Sequence, residues 1–147
     1  MGKFLIDINL KGKTSLITGA TKGLGRGAAI AIAEAGGNVI AVGRNQVELD
    51  SLSKIIRRLK VKYTSFNCDV NNYNQMKLFI GQLKKIDILV NNAGTNIPEA
   101  FLKVKKSSLN TLLNVNTKAV FNIAQLCANQ MIKLKNKQGS IINVSSI

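Results

Sequence analysis

The sequence predicts an α/β fold in which a parallel sheet is covered by helices on both of its faces. Short runs rich in β-branched residues alternate with longer segments of helical period, a pattern typical of βαβ units. The strand-like runs contain few polar residues, as expected when both faces of a sheet are buried. A glycine-rich turn joins the first run to the first helical segment. We therefore expect a doubly wound sheet.

Five strands and four helices are predicted in alternation along the chain. The strands are assigned to the β-branched runs at residues 14–18, 38–42, 62–67, 86–91 and 140–144. The helices are assigned to the segments of helical period at residues 23–35, 47–59, 73–83 and 108–135. Small residues on one side of the first helix let it lie close to the sheet, and Gly36 and Gly37 end it. The last helix is long, and we expect a bend near residues 114–117.

Length and composition indicate one soluble domain, residues 1–147, without a metal. An apolar content of 46% with 19% charged residues is typical of a globular chain of one core. The absence of His and the wide separation of Cys68 and Cys127 exclude His-based triads and zinc sites. We expect both cysteines to be reduced and buried in a cytoplasmic protein, since no signal-like stretch leads the chain. No apolar run approaches the ~18 residues that cross a bilayer.

The formal net charge of +14 leaves a second class of function to consider. A basic protein of this kind could bind nucleic acid or another anionic surface. However, the clusters at residues 57–62, 103–106 and 133–137 fall on different predicted helices, and only 5% of residues are aromatic. We therefore interpret most of the lysines as solvated surface and expect no nucleic-acid partner.

The strongest local signal is the turn Thr18-Gly19-Ala20-Thr21-Lys22-Gly23-Leu24-Gly25 between the first strand and the first helix. Glycines at such a junction allow a tight turn and let the backbone approach a pyrophosphate closely. The N–H groups at the start of the helix then point toward the anion. The turn predicts dinucleotide binding.

With its Gly-x-x-x-Gly-x-Gly spacing and four further motifs, the chain resembles the short-chain dehydrogenase/reductase family. These motifs are Asp69 after the third strand, Asn91-Asn92-Ala93-Gly94 after the fourth, Asn116 in the long helix and Ser145-Ser146 after the fifth. The resemblance covers nearly all residues and implies a Rossmann-type sheet, of which the sequence holds five of about seven strands.

The resemblance also implies roles for individual residues. Asn116 would hold a water in a proton relay, and Ser146 would hydrogen-bond the reacting oxygen. The alternative for Asp69 is a residue that caps the next turn, and without the resemblance Asn116 would be interpreted as a surface residue of a helix. The residues implied in cofactor binding are Gly19, Thr21, Lys22, Gly23, Leu24, Gly25, Arg44, Asp69, Val70, Asn92, Ala93 and Gly94.

The end of the second strand favours NADP(H) over NAD(H). In this fold an acidic residue at that position bonds the ribose 2′-hydroxyl and repels a 2′-phosphate. Here the position holds Gly43, and Arg44 follows it. A guanidinium can bind a phosphate through two hydrogen bonds, and Lys22 supplies a second cation.

The implied reaction is hydride transfer between the nicotinamide and a carbonyl or secondary alcohol. In the family a Tyr and a Lys four residues later supply the proton, about a dozen residues beyond the Ser and so past Ile147. We expect a domain truncated at its carboxyl end and inactive by itself, and a homo-oligomer for the full-length form. Tyr63 and Tyr73 lie near the third strand, too far away to act as the acid.

The alternative to an oxidoreductase is a non-catalytic NADP(H)-binding sensor or regulator. No residue of the sequence indicates which carbonyl or alcohol compound is the substrate.

Overall fold

A five-stranded parallel sheet forms the centre of the molecule. The computed structural model describes residues 8–135 and 138–145. The strand order is β3-β2-β1-β4-β5, and all four strand pairs are parallel. The strands are β1 (Thr14–Thr18), β2 (Asn38–Gly43), β3 (Tyr63–Asn67), β4 (Ile88–Asn91) and β5 (Ser140–Asn143). Each lies where the sequence predicts it, with ends that differ by at most two residues.

Five helices connect or follow these strands: α1 (Gly23–Glu34), α2 (Gln46–Arg57), α3 (Tyr73–Gln82), α4 (Lys106–Leu113) and α5 (Val120–Lys133). A short 3₁₀ turn, Phe101–Lys103, precedes α4. The single long helix predicted for residues 108–135 is thus two α-helices joined by a π-helical turn, Asn114–Ala119. This turn lies where the sequence predicts a bend. Such turns inside helices are frequent at functional sites.

The helices form one layer on each face of the sheet. Leu16 and Ile17, neighbours in β1, belong to different hydrophobic clusters because alternate side chains of a strand point to opposite faces. The cluster of Ile17 includes buried residues of α1 and α2, and that of Leu16 includes residues of α3 and α5. Both faces of the central strands β1, β2 and β4 are therefore buried, whereas the residues of the edge strand β5 are exposed. The predicted doubly wound architecture is confirmed.

The strand order creates a crevice at one edge of the sheet. Strand β1 pairs with β2 on one side and with β4 on the other, so the chain reverses its direction of winding between β3 and β4. At such a point the loops that leave the carboxyl ends of the two central strands separate, and ligands of doubly wound folds bind there. The structure therefore places the glycine turn after β1 and the loop after β4 beside each other.

The opposite, amino edge of the sheet holds a buried carboxylate and much of the positive charge. Asp87 accepts a hydrogen bond from the Thr14 N–H at 2.8 Å and lies 3.9 Å from the Lys13 ammonium and 4.0 Å from that of Lys85. Basic residues at 57–62 and around Lys133 end α2 and α5, and thus also face this edge. These basic residues are therefore remote from the crevice.

Cys68 and Cys127 are both free and buried, as predicted. In the described parts of the chain, no helix is long and apolar enough to cross a membrane. Among the same residues, no three His, Cys, Asp or Glu side chains are grouped as metal ligands would be.

Candidate functional site

A cavity of about 590 Å³ occupies the crevice at the carboxyl edge of the sheet. Its walls come from the loops after β1, β2, β3 and β4 and from α4 and the π-helical turn. Segments that are far apart in the sequence meet here because the carboxyl ends of parallel strands share one edge. Ten of the twelve predicted cofactor residues line the cavity: Gly19, Thr21, Lys22, Gly23, Arg44, Asp69, Val70, Asn92, Ala93 and Gly94.

The floor of the cavity is the turn between β1 and α1. Gly19 has a φ of +64° and Gly23 a φ of +49°, a backbone region that favours glycine. A Cβ atom on Gly19 would lie 2.9 Å from the Cα of Ala93, so the close approach of the two loops also requires glycine. The first N–H groups of α1 have no acceptor within the helix, and this end of the helix carries a partial positive charge. The turn can therefore hold an anion.

Gly25 and Leu24, the other two predicted residues, do not line the cavity. Leu24 is 76% exposed, whereas Gly25 is buried beneath the turn. A Cβ atom on Gly25 would come within 2.3 Å of Nδ2 of Asn92 and 2.4 Å of the Gly19 carbonyl oxygen. The structure thus gives Gly25 a packing role, and any effect of Gly25 on a ligand is indirect.

Asn92 fastens the loop after β4 to the glycine turn. Its Nδ2 atom donates hydrogen bonds to the carbonyl oxygens of Thr18 and Gly19 at 3.1 and 3.3 Å. The Thr18 hydroxyl in turn accepts from the N–H groups of Asn92 and Ala93, both at 3.0 Å. Two walls of the cavity are therefore held in a fixed relation, with Ala93 against Gly19.

Asn116, predicted to be catalytic, holds the next part of the same loop. Its Oδ1 accepts a hydrogen bond from the Thr95 N–H at 2.9 Å, and its Nδ2 donates to the Thr95 carbonyl oxygen at 2.8 Å. The π-helical turn places this side chain toward the loop, next to Val115 in the cavity wall. In this structure Asn116 therefore positions the loop, while its role in a proton relay stays a prediction. Ser146 lies outside the described residues, and the neighbouring Ser145 follows β5.

Arg44 and Asp69 face each other across one end of the cavity. The Arg44 Nη1 atom lies 3.7 Å from Oδ2 of Asp69, and the two side chains are 78% and 43% exposed. Just before Arg44, a Cβ atom on Gly43 would lie 2.5 Å from Cγ2 of Thr21. Glycine at this position therefore lets the end of β2 contact the glycine turn. The cations that line the cavity are Lys22 and Arg44.

Neither of the two tyrosines is placed as an acid for this cavity. The Tyr63 hydroxyl donates to the Leu49 carbonyl oxygen at 2.8 Å, and burial raises the pKa of Tyr63 to about 12. Tyr73 stands four residues before Lys77, the spacing of the family's catalytic pair. However, Tyr73 begins α3 and is not part of the cavity wall. The Tyr-Lys spacing alone therefore does not make this pair catalytic.

Cys68 is a cavity residue that the sequence did not single out. Its Sγ lies 3.2 Å from both the Asp69 carbonyl oxygen and Oε1 of Gln75, and the single thiol proton can be donated to either acceptor. Burial, and then the charge of Asp69, raises the pKa of the Cys68 thiol. Burial therefore favours the thiol over the thiolate at this wall position. Asn45, Asn71, Thr95, Thr111 and Val115 are further lining residues that sequence reasoning did not assign to the cofactor, and Gly43, the position without an acid, lines the cavity as well.

Residues 13–147 match the family model of the short-chain dehydrogenases. The chain belongs to this family. It is 37% identical over 144 residues to the 3-oxoacyl-[acyl-carrier-protein] reductase FabG of Thermotoga maritima, covering 95% of this chain and 58% of that relative. It is 35% identical over 141 residues to the L-xylulose reductase of Mesocricetus auratus, covering 96% and 56%. The chain thus spans little more than half the length of the curated relatives it matches.

Solved structures of the same family share the fold. A short-chain type dehydrogenase/reductase from Mycobacterium marinum superposes with a TM-score of 0.88 at 33% identity, over 95% of this chain and 57% of that one. A short-chain dehydrogenase from Sphingobium yanoikuyae in complex with NADPH gives a TM-score of 0.84 at 27% identity, over 92% and 54%. An NAD⁺-bound xylitol dehydrogenase gives 0.87 at 26% identity, over 93% and 54%. Neighbours of this fold therefore bind either nicotinamide dinucleotide.

Proposed function

We propose that this chain is the nucleotide-binding part of an oxidoreductase that transfers hydride between NADP(H) and a carbonyl or secondary alcohol. The observation that carries the proposal is the cavity at the point where the winding of the sheet reverses. There the glycine turn, Arg44 and the loop at residues 92–95 form one continuous wall. A cavity of about 590 Å³ is of the size that holds a cofactor-like ligand.

The cavity fits the parts of a dinucleotide. The pyrophosphate would lie on the turn at Gly19 and Gly23, where the missing Cβ atoms leave the backbone N–H groups accessible. The adenosine would lie between the ends of β2 and β3, toward Arg44 and Asp69. The remaining space beside Asn92, Gly94 and Thr95 would take the nicotinamide, which supplies the hydride when it is bound.

Three features of the adenosine end support NADP(H) over NAD(H). Gly43 leaves no carboxylate to repel a 2′-phosphate, and Arg44 stands next to it on the cavity wall. Lys22 contributes a second cation to the same wall. An acidic side chain at position 43 would, in addition, have to displace the Thr21 methyl group.

The protein's own contribution to catalysis would be to orient the substrate and to move a proton. Asn116 fixes the loop at Thr95, which borders the nicotinamide end, and we assign it to the proton relay together with Ser146. The family's acid, a Tyr followed by a Lys, belongs beyond Ser146. We therefore propose that the 147 residues alone bind nucleotide but do not turn over a ketone substrate. Measurable NADPH oxidation by this chain with a panel of ketones would contradict that statement.

The binding proposal is tested by thermal unfolding with and without NADPH. At a concentration of about 100 times Kd, a ligand that binds only the folded state stabilises it by about 2.7 kcal/mol. For a chain of this size that corresponds to a rise in Tm of roughly 5 to 11 °C. Arg44→Gln should reduce this rise with NADPH, whereas Arg58→Gln, an exposed cation at the far end of α2, should not. A Tm that NADPH leaves unchanged would refute nucleotide binding.

A further inference from the structure

We propose that Asp69 weakens the recognition of a 2′-phosphate because it competes with the phosphate for Arg44. This inference rests on the proposed binding of NADP(H). The Arg44 guanidinium lies 3.7 Å from the Asp69 carboxylate, and both side chains belong to the wall of the cavity. The cation that is best placed to meet a 2′-phosphate therefore already has an anionic neighbour.

The carboxylate of Asp69 is held in place by its own turn. Its Oδ1 accepts a hydrogen bond from the Asn71 N–H at 2.9 Å, and its main-chain carbonyl accepts from the Asn72 N–H at 2.9 Å. The second carboxylate oxygen, Oδ2, is the one that faces Arg44. The turn therefore holds the carboxylate at the rim of the cavity, beside Arg44.

The Arg44 side chain, in contrast, is exposed and forms a single ion pair. Its side chain is 78% exposed, and within residues 8–135 and 138–145 its side chain makes no polar contact besides that with Asp69. The backbone beneath the pair is fixed, since the Cys68 N–H donates to the Gly43 carbonyl oxygen at 2.9 Å. The guanidinium can therefore exchange one anion for another while the strand ends remain paired.

The size of the effect follows from the exposure of the pair. Ion pairs between exposed side chains are weak, and the loss of one corresponds to a factor of about two to five in an equilibrium constant. A 2′-phosphate must overcome this competition, whereas a nucleotide with a free 2′-hydroxyl gains nothing from the charge of Arg44. Removal of the Asp69 charge should thus strengthen binding only for the phosphorylated nucleotide.

Calorimetric titration with adenosine 2′,5′-bisphosphate and with 5′-AMP separates these effects, because the two probes differ only in the 2′-phosphate. The variants are Asp69→Asn, Arg44→Gln and the double variant. Asn keeps an Oδ1 acceptor for the turn and for an adenine amino group. Asp50→Asn is the control: Asp50 is exposed on α2, accepts from the Gln46 side chain at 2.8 Å and is not part of the cavity wall.

The expected result is a preference of the wild type for the bisphosphate that rises about two- to fivefold in Asp69→Asn and is unchanged in Asp50→Asn. In the Arg44→Gln background, Asp69→Asn should leave the preference unchanged. An unchanged or reduced preference for the bisphosphate in Asp69→Asn overturns the inference. It is also overturned if Asp69→Asn raises this preference equally in the Arg44→Gln background. Either result leaves the proposed NADP(H) binding intact. If the wild type binds neither probe, or both equally, the proposed function fails as well.

Discussion

A matched pair of glycines on α1 offers the sharpest test of the site's geometry. Gly25 and Gly27 lie two residues apart in the same helix, and both would gain helix propensity on substitution by Ala, by up to about 1 kcal/mol. A Cβ atom on Gly27 meets nothing within 4 Å, whereas one on Gly25 would lie 2.4 Å from a carbonyl oxygen of the glycine turn. The same substitution should therefore have opposite effects at the two positions.

The magnitudes follow from these contacts. Gly27→Ala should stabilise the protein by roughly 0.5 to 1 kcal/mol. Gly25→Ala must change the position of the helix relative to both the main chain of Gly19 and the side chain of Asn92, and so disturbs the hydrogen bonds at 3.1 and 3.3 Å that join the two loops. Overpacking of this kind costs about 1 to 3 kcal/mol, and the loss of the loop contacts adds to it.

Thermal unfolding and NADPH titration of both variants provide the assay. We expect Gly25→Ala to lower Tm by roughly 2 to 12 °C and to weaken NADPH binding, and Gly27→Ala to raise Tm by a few degrees with binding unchanged. Equal Tm values and equal NADPH affinities for the two variants would refute the packing of Gly25 under the turn.

Three further predictions concern other parts of the fold. Asn116→Ala should speed hydrogen exchange of the Thr95 amide about five- to tenfold, since both hydrogen bonds to Thr95 are lost, whereas Asn114→Ala in the same turn should not. Tyr63→Phe should cost about 1 kcal/mol below pH 10, measured by urea unfolding. Because the folded-state pKa of Tyr63 is raised from 10.0 to about 12, wild-type stability should fall as the pH rises through this window, and the variant should lack that loss. Because β5 is at the edge of the sheet and Ile142 on it is 51% exposed, we expect the wild-type chain to self-associate in analytical ultracentrifugation and Ile142→Thr to do so less; equal sedimentation profiles would contradict this.

The secondary structure was predictable because it is encoded locally. Residues 39–42 are apolar on both faces, and this pattern by itself indicates a strand covered on each side. The bend in the long helix was also predicted, although the pattern did not show that it is a π-helical turn with Asn116 facing the loop. Local patterns thus located the elements.

The contacts between distant segments were not predictable in the same way. The hydrogen bond of Asn92 to Thr18 joins residues 74 positions apart, and it depends on β1 and β4 being neighbours in the sheet. The same holds for the approach of Gly43 to Thr21. The motifs thus identified most of the cavity wall, but only the strand order explains why these residues meet. No motif in the sequence indicated that Asp87 would be buried at the amino edge of the sheet.

The affinity of the protein for NADPH relative to NADH tests the central claim most directly. Arg44 and Lys22 on the cavity wall, with glycine at position 43, predict tighter binding of NADPH. Fluorescence titration of the wild-type chain with the two reduced nucleotides, at one fixed salt concentration, measures the ratio. We expect a lower Kd for NADPH by at least about tenfold, the factor that corresponds to about 1.4 kcal/mol. Equal affinities, or a lower Kd for NADH, would contradict the proposed phosphate site.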